Sequence, residues 1–240
     1  MPVIGCDCPV CTSLDYRDKR LRTSVFLETE GGNIVIDTGP DFRQQMLRED
    51  IKKLDAVIFT HGHKDHVAGL DDVRAFNYMQ SMDMPVYAQA AVLAQLKIEF
   101  SYAFDPLAFS GIPRLNLFEI TEQPFSIGNL KITPLPVLHL KMPVLGYRIN
   151  NFSYITDANS IPEETYKKME GTDVLVVNAL QREKHISHFN LEEAIAVARK
   201  VAAKQTFFTH ISHKLGLHKE IEKELPDGVA LSYDGLQMTL

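Results

Sequence analysis

The sequence predicts an α/β (α+β) protein, one domain over residues 1–240 built as four αββα layers. Short β-rich runs separated by turns dominate its first part, and strands alternate with helical segments towards its carboxyl end. The helical segments 90–99 and 191–203 have one apolar side, which favours helices packed outside strand-rich halves. No repeat of fixed short period is visible.

The order of elements follows from hydrophobic spacing and turn residues. Two β-rich runs flank Glu30-Gly31-Gly32 and predict a hairpin. Asn190 and Glu193 form a capping-box pattern that opens a helix. Strands are predicted at 24–28, 33–37, 56–59, 85–88, 117–120, 130–133, 137–138, 145–149, 152–156, 173–177 and 204–209, with two more in the tail. Helices are predicted at 42–49, 67–70, 71–80, 90–99, 162–169, 191–203 and 219–225.

Composition and charge argue against several classes of protein. The chain has 25 Lys and Arg against 31 Asp and Glu, a formal net charge of −6, which disfavours binding long nucleic acid through its phosphates. No apolar stretch approaches the ~20 residues that span a bilayer. The amino terminus lacks the basic and apolar regions of a signal peptide. We therefore expect a cytoplasmic protein without a membrane partner.

A cluster of metal-ligand residues follows the buried run 56–59. His61, His63, Asp65 and His66 lie within six residues, and imidazole and carboxylate are ligands for zinc, manganese or iron. Gly62 allows close backbone approach, so His61 and His63 can reach one ion while Asp65 and His66 point towards a second. The alternative is a polar surface loop that happens to be rich in histidine.

All three cysteines of the chain, Cys6, Cys8 and Cys11, lie in one short loop within residues 1–23. An odd number in one loop is a poor disulfide framework. The loop suits a structural zinc site of the Cys3His type if a histidine arrives from elsewhere. The alternative is three reduced cysteines without a metal.

Other polar residues have two interpretations each. Asp37 could orient the segment 60–66, called the metal loop below, or it could cap the helix that starts near Asp41. Arg74 could bind a substrate phosphate or pair with a neighbouring aspartate, and Arg22 and Arg43 are further phosphate candidates. The aromatic segment 98–114, interrupted by prolines, predicts an inserted lid loop.

The motif His61-x-His63-x-Asp65-His66 after an apolar strand resembles the signature of the metallo-β-lactamase-fold hydrolases. Those proteins supply further ligands in a fixed order: a later His, an Asp after a strand, and a last His near the carboxyl end. His139, Asp157 and His210 match that order, each after a β-rich run. The resemblance implies one metal held by His61, His63 and His139. It implies a second held by Asp65, His66 and His210, with Asp157 bridging both.

The cysteine loop together with His210-Ile211-Ser212-His213 resembles the phosphonate-pathway phosphodiesterases that act on phosphoribosyl 1,2-cyclic phosphate. The resemblance implies a structural zinc held by the cysteines and His213, with His218 the competing choice. It also implies a histidine that assists catalysis near the phosphate. His188 matches that position, with His185 as the alternative.

The expected activity is that of a dinuclear metal-dependent phosphodiesterase on a small cyclic phosphate or related anionic diester. Two zinc or manganese ions would activate a water, with Asp65, Asp157 and His188 in the catalytic site and Arg74 and His188 near the substrate. Nucleic acid beyond nucleotides is not expected as a partner, and relatives predict a homodimer. The alternatives are an RNA-processing nuclease and a non-hydrolytic accessory protein of cofactor biosynthesis. Family members usually begin with a strand and a Gly-Thr-Gly-Thr-Ser turn, so we expect this chain, which starts at Met1, to lack that strand.

Overall fold

The computed structural model describes residues 1–105 and 111–239. The chain divides into two compact units. The continuous unit is Arg22–Lys131, and the two-segment unit combines Met1–Leu21 with Ile132–Leu240. A single domain over 1–240 stays a prediction. Of the predicted lid at 98–114, residues 106–110 lie outside the described residues.

Helices and strands alternate along most of the described chain. The helices are α1 (Pro9–Thr12), α2 (Phe42–Arg48), α3 (Lys64–Val67), α4 (Arg74–Gln80), α5 (Ala90–Glu99), α6 (Glu163–Lys168), α7 (Leu191–Val201) and α8 (His218–Ile221). The strands are β1 (Val25–Thr29), β2 (Gly32–Ile36), β3 (Ala56–Ile58), β4 (Met84–Ala88), β5 (Leu115–Glu119), β6 (Phe125–Ile127), β7 (Leu130–His139), β8 (Met142–Ile149), β9 (Phe152–Ile155), β10 (Val174–Asn178), β11 (Gln205–Thr209) and β12 (Val229–Leu231). Within the described ranges, every helix is too short or too polar to cross a bilayer.

The continuous unit contains a five-stranded sheet in the order β1-β2-β3-β4-β5. The predicted hairpin is present, since Thr29 pairs with Gly32 across a two-residue turn. The β2, β3, β4 and β5 strands run parallel. Val35, Val57 and Val86 occupy the three central strands and are fully buried in one hydrophobic cluster. Parallel strands that are buried on both faces have continuous apolar sequences. The apolar run at β3 could therefore be recognised as a strand from the sequence.

The two-segment unit contains antiparallel β7, β8 and β9, followed by parallel β9, β10, β11 and β12. Its core includes Leu175 and Val177 of β10 and Phe208 of β11, all fully buried. Helix α7 contributes to that core its apolar face, whose buried residues recur at helical spacing: Leu191, Ala194, Val197 and Ala198. The predicted capping box at Asn190 and Glu193 is present.

One prediction in this unit was wrong. The sequence predicted separate strands at 130–133 and 137–138, but β7 continues through Pro134 and Pro136. Their carbonyl oxygens accept hydrogen bonds from Lys168 Nζ (3.3 Å) and Thr165 Oγ1 (2.6 Å) on or beside α6. Because N–H and C=O of one strand residue point to the same side, the missing proline N–H groups face α6 and interrupt no strand pairing.

The tail also differs from the prediction of two strands. Its described part, up to residue 239, contains one strand, β12. The next residues turn instead of extending the sheet, because Leu236 N–H donates to the carbonyl oxygen of Tyr233 (3.1 Å).

Candidate metal centre and active site

The metal loop lies in the continuous unit, between β3 and α3. His61 and His66 are almost fully buried, while His63, the residue before α3, is exposed. The ring centroid of His61 lies 4.5 Å from that of His63 and 4.3 Å from that of His66. Asp65 Oδ2 lies 3.8 Å from His66 Nε2. The four predicted ligand residues of the loop therefore form one cluster.

Asp37 supports this cluster from the end of β2. Its Oδ1 accepts the Thr60 N–H (2.9 Å), and its Oδ2 accepts the Thr60 hydroxyl (2.8 Å) and lies 2.7 Å from His66 Nδ1. Since the Thr60 hydroxyl proton goes to Asp37, the oxygen lone pair faces His61 Nδ1 at 3.0 Å. The first residue before α2 is Asp41, and its side chain makes no capping hydrogen bond. Of the two roles open from the sequence, Asp37 therefore has the orienting one.

The turn after β2 packs against the metal loop through two glycines. A Cβ atom on Gly39 would lie 2.3 Å from the carbonyl oxygen of Asp65, and one on Gly69 would lie 2.1 Å from the carbonyl oxygen of Gly39. Thr38 N–H donates to the carbonyl oxygen of His66, and Gly69 N–H donates to that of Thr38, both at 2.8 Å. Side chains at Gly39 or Gly69 would push the metal loop away from β2.

Helix α5 holds the other side of the loop, a contact that the sequence did not reveal. Gln95 Nε2 donates to the carbonyl oxygen of Gly62 and also to Glu99 Oε1 (2.8 Å). Glu99 Oε2 pairs with Lys64 Nζ at 2.7 Å. A Cβ on Gly62 would meet the Gln95 amide, so glycine between His61 and His63 is what allows this approach. The only sequence signal is the i, i+4 spacing of Gln95 and Glu99.

The two-segment unit places the other three predicted ligands at strand ends. His139 is the last residue of β7, His210 directly follows β11, and Asp157 lies two residues after β9. Since β9, β10 and β11 are parallel, their carboxyl ends meet at one edge of the sheet. His210 Nε2 lies 3.2 Å from Asp157 Oδ1, and Thr156 Oγ1 donates to Asp157 Oδ2 (2.7 Å).

The backbone around these residues is held in an uncommon conformation. Asp37, Asp157 and His210 have φ angles of 64°, 52° and 51°, in the left-handed region. Asn178 at the end of β10, which sequence reasoning missed, fixes the segment after Asp157. Its Oδ1 accepts the Ala158 N–H and its Nδ2 donates to the Ala158 carbonyl oxygen, both at 2.9 Å.

His188 joins this second cluster. Its Nε2 lies 3.0 Å from Asp157 Oδ1, its ring stacks on His210 at 4.9 Å, and the edge of His139 lies 4.6 Å away. One ligand atom from each of His139, Asp157 and His188 lies within 4.8 Å of the others. The sequence left His185 as an alternative to His188; His185 lies behind His188, with its Nδ1 3.1 Å from His188 Nδ1.

The donor atoms of both clusters fit divalent metal ions. His139 Nδ1 donates to the carbonyl oxygen of Ser187 (2.7 Å), an obligate acceptor, which leaves the Nε2 lone pair for a metal. His61 Nδ1 contacts the Thr60 hydroxyl oxygen and His66 Nδ1 contacts Asp37 Oδ2, so in both rings Nε2 is again the nitrogen that can bind a metal. Imidazole nitrogen with carboxylate oxygen is a donor set that zinc and manganese accept. The metal assignments themselves stay predictions.

The three cysteines and His213 converge in the two-segment unit. His213 Nδ1 lies 3.3 Å from Cys6 Sγ, 3.5 Å from Cys8 Sγ and 3.4 Å from Cys11 Sγ. The Cys11 N–H donates to Cys8 Sγ (3.4 Å), and this bond, followed by the contact with His213, lowers the pKa of Cys8 to about 6. Thiolates and one imidazole in this arrangement fit a tetrahedral zinc ion.

His218, the competing choice for the fourth zinc ligand, lies in a different polar network. Its Nδ1 is 2.7 Å from Arg20 Nη2, and its backbone N–H donates to Asp18 Oδ1 (2.8 Å). All three side chains are buried. Burial, followed by the charge of Arg20, lowers the pKa of His218. The geometry therefore favours His213 over His218 beside the cysteines.

Two of the three arginines considered for phosphate binding, Arg74 and Arg43, contact acidic residues. Arg74 Nε lies 3.9 Å from Asp71 Oδ2, the pairing that the sequence left open, and Arg43 Nη1 lies 4.0 Å from Asp72 Oδ1. The side chains of both arginines are more than half exposed, so these pairs contribute little to stability. A role for Arg74 in substrate binding stays a prediction.

A family model and a solved structure each match most of this chain. The family model described as "Beta-lactamase superfamily domain" matches residues 32–211, or 180 of the 240 residues. A crystal structure described as a new diphosphatase from the PhnP family is 40% identical, with a TM-score of 0.92. That comparison covers 98% of this chain and 90% of the other.

Two further relatives differ more in length or sequence. An octanoyltransferase from Porphyromonas gingivalis is 38% identical over 240 residues, which are 99% of this chain but 48% of that protein. The chain thus spans about half the length of this relative. The probable metallo-hydrolase YhfI from Bacillus subtilis is 26% identical over 189 residues, 72% of each protein. These matches confirm the fold class that the ligand motif predicted, and the chain belongs to the metallo-β-lactamase superfamily and, within it, to the PhnP family.

Proposed function

We propose that this chain is a metal-dependent phosphodiesterase that cleaves a small anionic substrate, such as a cyclic phosphate or a related phosphodiester. The observation that carries the proposal is the cluster around Asp157. One carboxylate oxygen lies 3.0 Å from His188 Nε2 and 3.2 Å from His210 Nε2, and His139 lies beside them. Predicted metal ligands and an additional imidazole are thus in the same cluster.

The residues divide into ligands and a proton donor. The order of ligands along the chain, as in the resembling family, supports two ions held jointly by His61, His63, Asp65 and His66 with His139, Asp157 and His210. When bound, divalent ions supply a Lewis acid for the phosphoryl oxygen and an activated water. Asp65 and Asp157 contribute the negative charge that balances the dications. His188 Nε2 holds a proton for the leaving oxygen, a role typical of histidine in catalysis.

The relative described as a diphosphatase widens the substrate class to be tested. Diesters and diphosphates both present an anionic phosphoryl centre with an oxygen leaving group. The acidic net charge of −6 argues for a small substrate over a long nucleic acid. A cytoplasmic location and a homodimer stay predictions.

The test is hydrolysis of a substrate panel by the purified chain loaded with zinc or with manganese. The panel contains a ribosyl 1,2-cyclic phosphate, 2′,3′-cyclic nucleotides, an aryl phosphodiester, a nucleoside diphosphate and a tRNA precursor. We expect turnover of the small diesters, lost in Asp157→Asn and retained in Asp173→Asn. Asp173→Asn makes the same charge change at a half-buried aspartate that pairs with the exposed Lys204 (2.9 Å).

Other outcomes select other functions. Cleavage of the tRNA precursor alone would favour the nuclease alternative. Turnover of the nucleoside diphosphate alone would show that the bond cleaved is a phosphoanhydride and not a phosphodiester. No turnover of any substrate with metals bound would favour the accessory-protein alternative.

A further inference from the structure

We propose that His185 is a positioning residue for His188: its Nδ1 lone pair accepts the Nδ1 proton of His188 and thereby fixes the tautomer and orientation of that ring. This inference rests on the proposed function, because it assigns the group that acts through the proposed proton donor. The two Nδ1 atoms lie 3.1 Å apart and the ring centroids 5.0 Å apart.

The direction of this hydrogen bond follows from a third group. The backbone N–H of Ser187, which can only donate, points at His185 Nδ1 at 3.4 Å. His185 Nδ1 therefore presents a lone pair and carries its own proton on Nε2. The proton between the two imidazoles then belongs to His188 Nδ1.

The tautomer of His188 determines which of its nitrogens faces the ligand cluster. With one proton held on Nδ1, the second proton of the His188 imidazolium is on Nε2, and Nε2 is the atom that gives its proton to a reacting group. That atom lies 3.0 Å from Asp157 Oδ1, among the predicted metal ligands. His185 thus directs the reactive nitrogen of His188 towards the proposed site, as a carboxylate or carbonyl does for catalytic histidines elsewhere.

The same segment locks the pair in place. Ser187 Oγ lies 3.0 Å from His188 Nδ1 and 3.3 Å from His185 Nδ1, so it bridges the two rings. The Ser187 carbonyl oxygen accepts the proton of His139 Nδ1 (2.7 Å). Residues 185–188 therefore hold both a metal ligand and the proposed acid. The Ser187 hydroxyl can rotate, whereas the His185 ring offers an acceptor in a fixed direction. We therefore assign His185 the larger effect on the tautomer and orientation of His188.

The kinetic test uses two diesters that differ in leaving group. A ribosyl 1,2-cyclic phosphate releases an alkoxide that needs a proton, and a methyl p-nitrophenyl diester releases a phenolate that does not. We expect His188→Ala to lower kcat for the cyclic substrate about 10²-fold or more. His185→Ala should lower it about 10- to 100-fold with KM nearly unchanged. The aryl diester should lose less than about threefold in His185→Ala, because little proton transfer is required.

Two variants separate positioning from a general loss of structure. Asn in His185→Asn places a carbonyl acceptor at the position of Nδ1, so kcat should return to within about threefold of wild type. Ile186→Ala changes a side chain that is 75% exposed between the two histidines, and it should leave kcat unchanged. Equal losses on both substrates in His185→Ala, or no recovery in His185→Asn, would overturn the proposal.

A readout independent of turnover distinguishes failure of this inference from failure of the proposed function. Long-range ¹H–¹⁵N correlation spectra of the zinc-loaded protein report the His188 tautomer, assigned with His188→Gln. For the neutral His188 ring we expect the Nδ1–H form in wild type and His185→Asn, and we expect the Nε2–H form to become populated in His185→Ala. An unchanged Nδ1–H form in His185→Ala would refute the role of His185, whatever substrate the enzyme turns over.

Discussion

Asp37→Asn tests how the fold orients the metal loop. Asp37 is fully buried, and its carboxylate contacts Thr60 through two hydrogen bonds (2.9 and 2.8 Å) and His66 Nδ1 at 2.7 Å. Asparagine fills the same space and tolerates the φ of 64°. It keeps one acceptor for the Thr60 N–H. Its amide NH2 group, however, faces the Thr60 hydroxyl and His66 Nδ1, so two charge-assisted hydrogen bonds are lost.

The size of the effect follows from those two bonds. Hydrogen bonds to charged groups contribute about 1.5 kcal/mol each at the lower end, so the free energy of unfolding should fall by about 3 kcal/mol. Loss of the partner that orients a metal-ligating histidine typically weakens metal binding 10- to 100-fold, or about 1.4 to 2.7 kcal/mol. Urea unfolding of the metal-free protein measures the first quantity, and zinc titration calorimetry measures the second.

Asp41→Asn is the matched control. Asp41 lies four residues further along, and its Oδ2 accepts the Arg22 N–H (2.8 Å), a bond that an asparagine carbonyl can also accept. We expect its unfolding free energy to change by less than about 0.5 kcal/mol and its zinc affinity to stay unchanged. If Asp37→Asn also binds zinc within twofold of wild type, the proposed orienting role of Asp37 is refuted.

Three further predictions address packing, the cysteine site and pH. Gly39→Ala places a Cβ 2.3 Å from the carbonyl oxygen of Asp65, so the free energy of unfolding in urea should fall by about 1 to 3 kcal/mol. An unchanged unfolding midpoint would contradict the packing argument. His213→Ala should lower zinc content by one ion per chain in elemental analysis while His218→Ala leaves it unchanged; the reverse pattern would assign the fourth ligand to His218. Burial and the charge of Arg20 lower the pKa of His218 below its ordinary value of 6.5. When the pH falls below 6.5, His218 therefore binds a proton in the unfolded state more readily than in the folded state. Unfolding free energy should therefore drop between pH 7.5 and 5.5, and it should drop less in His218→Gln; equal drops would exclude His218 as a contributor.

The candidate ligands of the metal loop could be grouped from the sequence because they are local. His61, His63, Asp65 and His66 are close in sequence, so spacing and chemistry alone indicate a shared cluster. The isolated His139 and His210 carry no such signal by themselves. Their assignment came from the order of ligands in the resembling family, and their positions at strand ends follow from strand direction, which single-sequence patterns do not determine.

Supporting residues were the part that the sequence could not reveal. Gln95 is an ordinary polar residue on a helix, and its bond to the Gly62 carbonyl oxygen spans 33 positions of the chain. Asn178 ends a buried strand and bonds to the backbone at Ala158, 20 positions away. Contacts between a side chain and a distant backbone leave no periodicity or motif. Asp37 was recognised as a candidate only because it follows a strand, and its role stayed open until its partners were known.

The left-handed backbone at Asp157 and His210 has a consequence for engineering the protein. A non-glycine residue in this region costs on the order of 1 kcal/mol each, and asparagine or glycine lowers that cost. Variants such as His210→Asn should therefore be catalytically inactive yet at least as resistant to heat as the metal-free parent. Selection for thermal stability alone would then favour loss of the predicted ligands, so directed evolution of this scaffold requires a metal-dependent screen at every round.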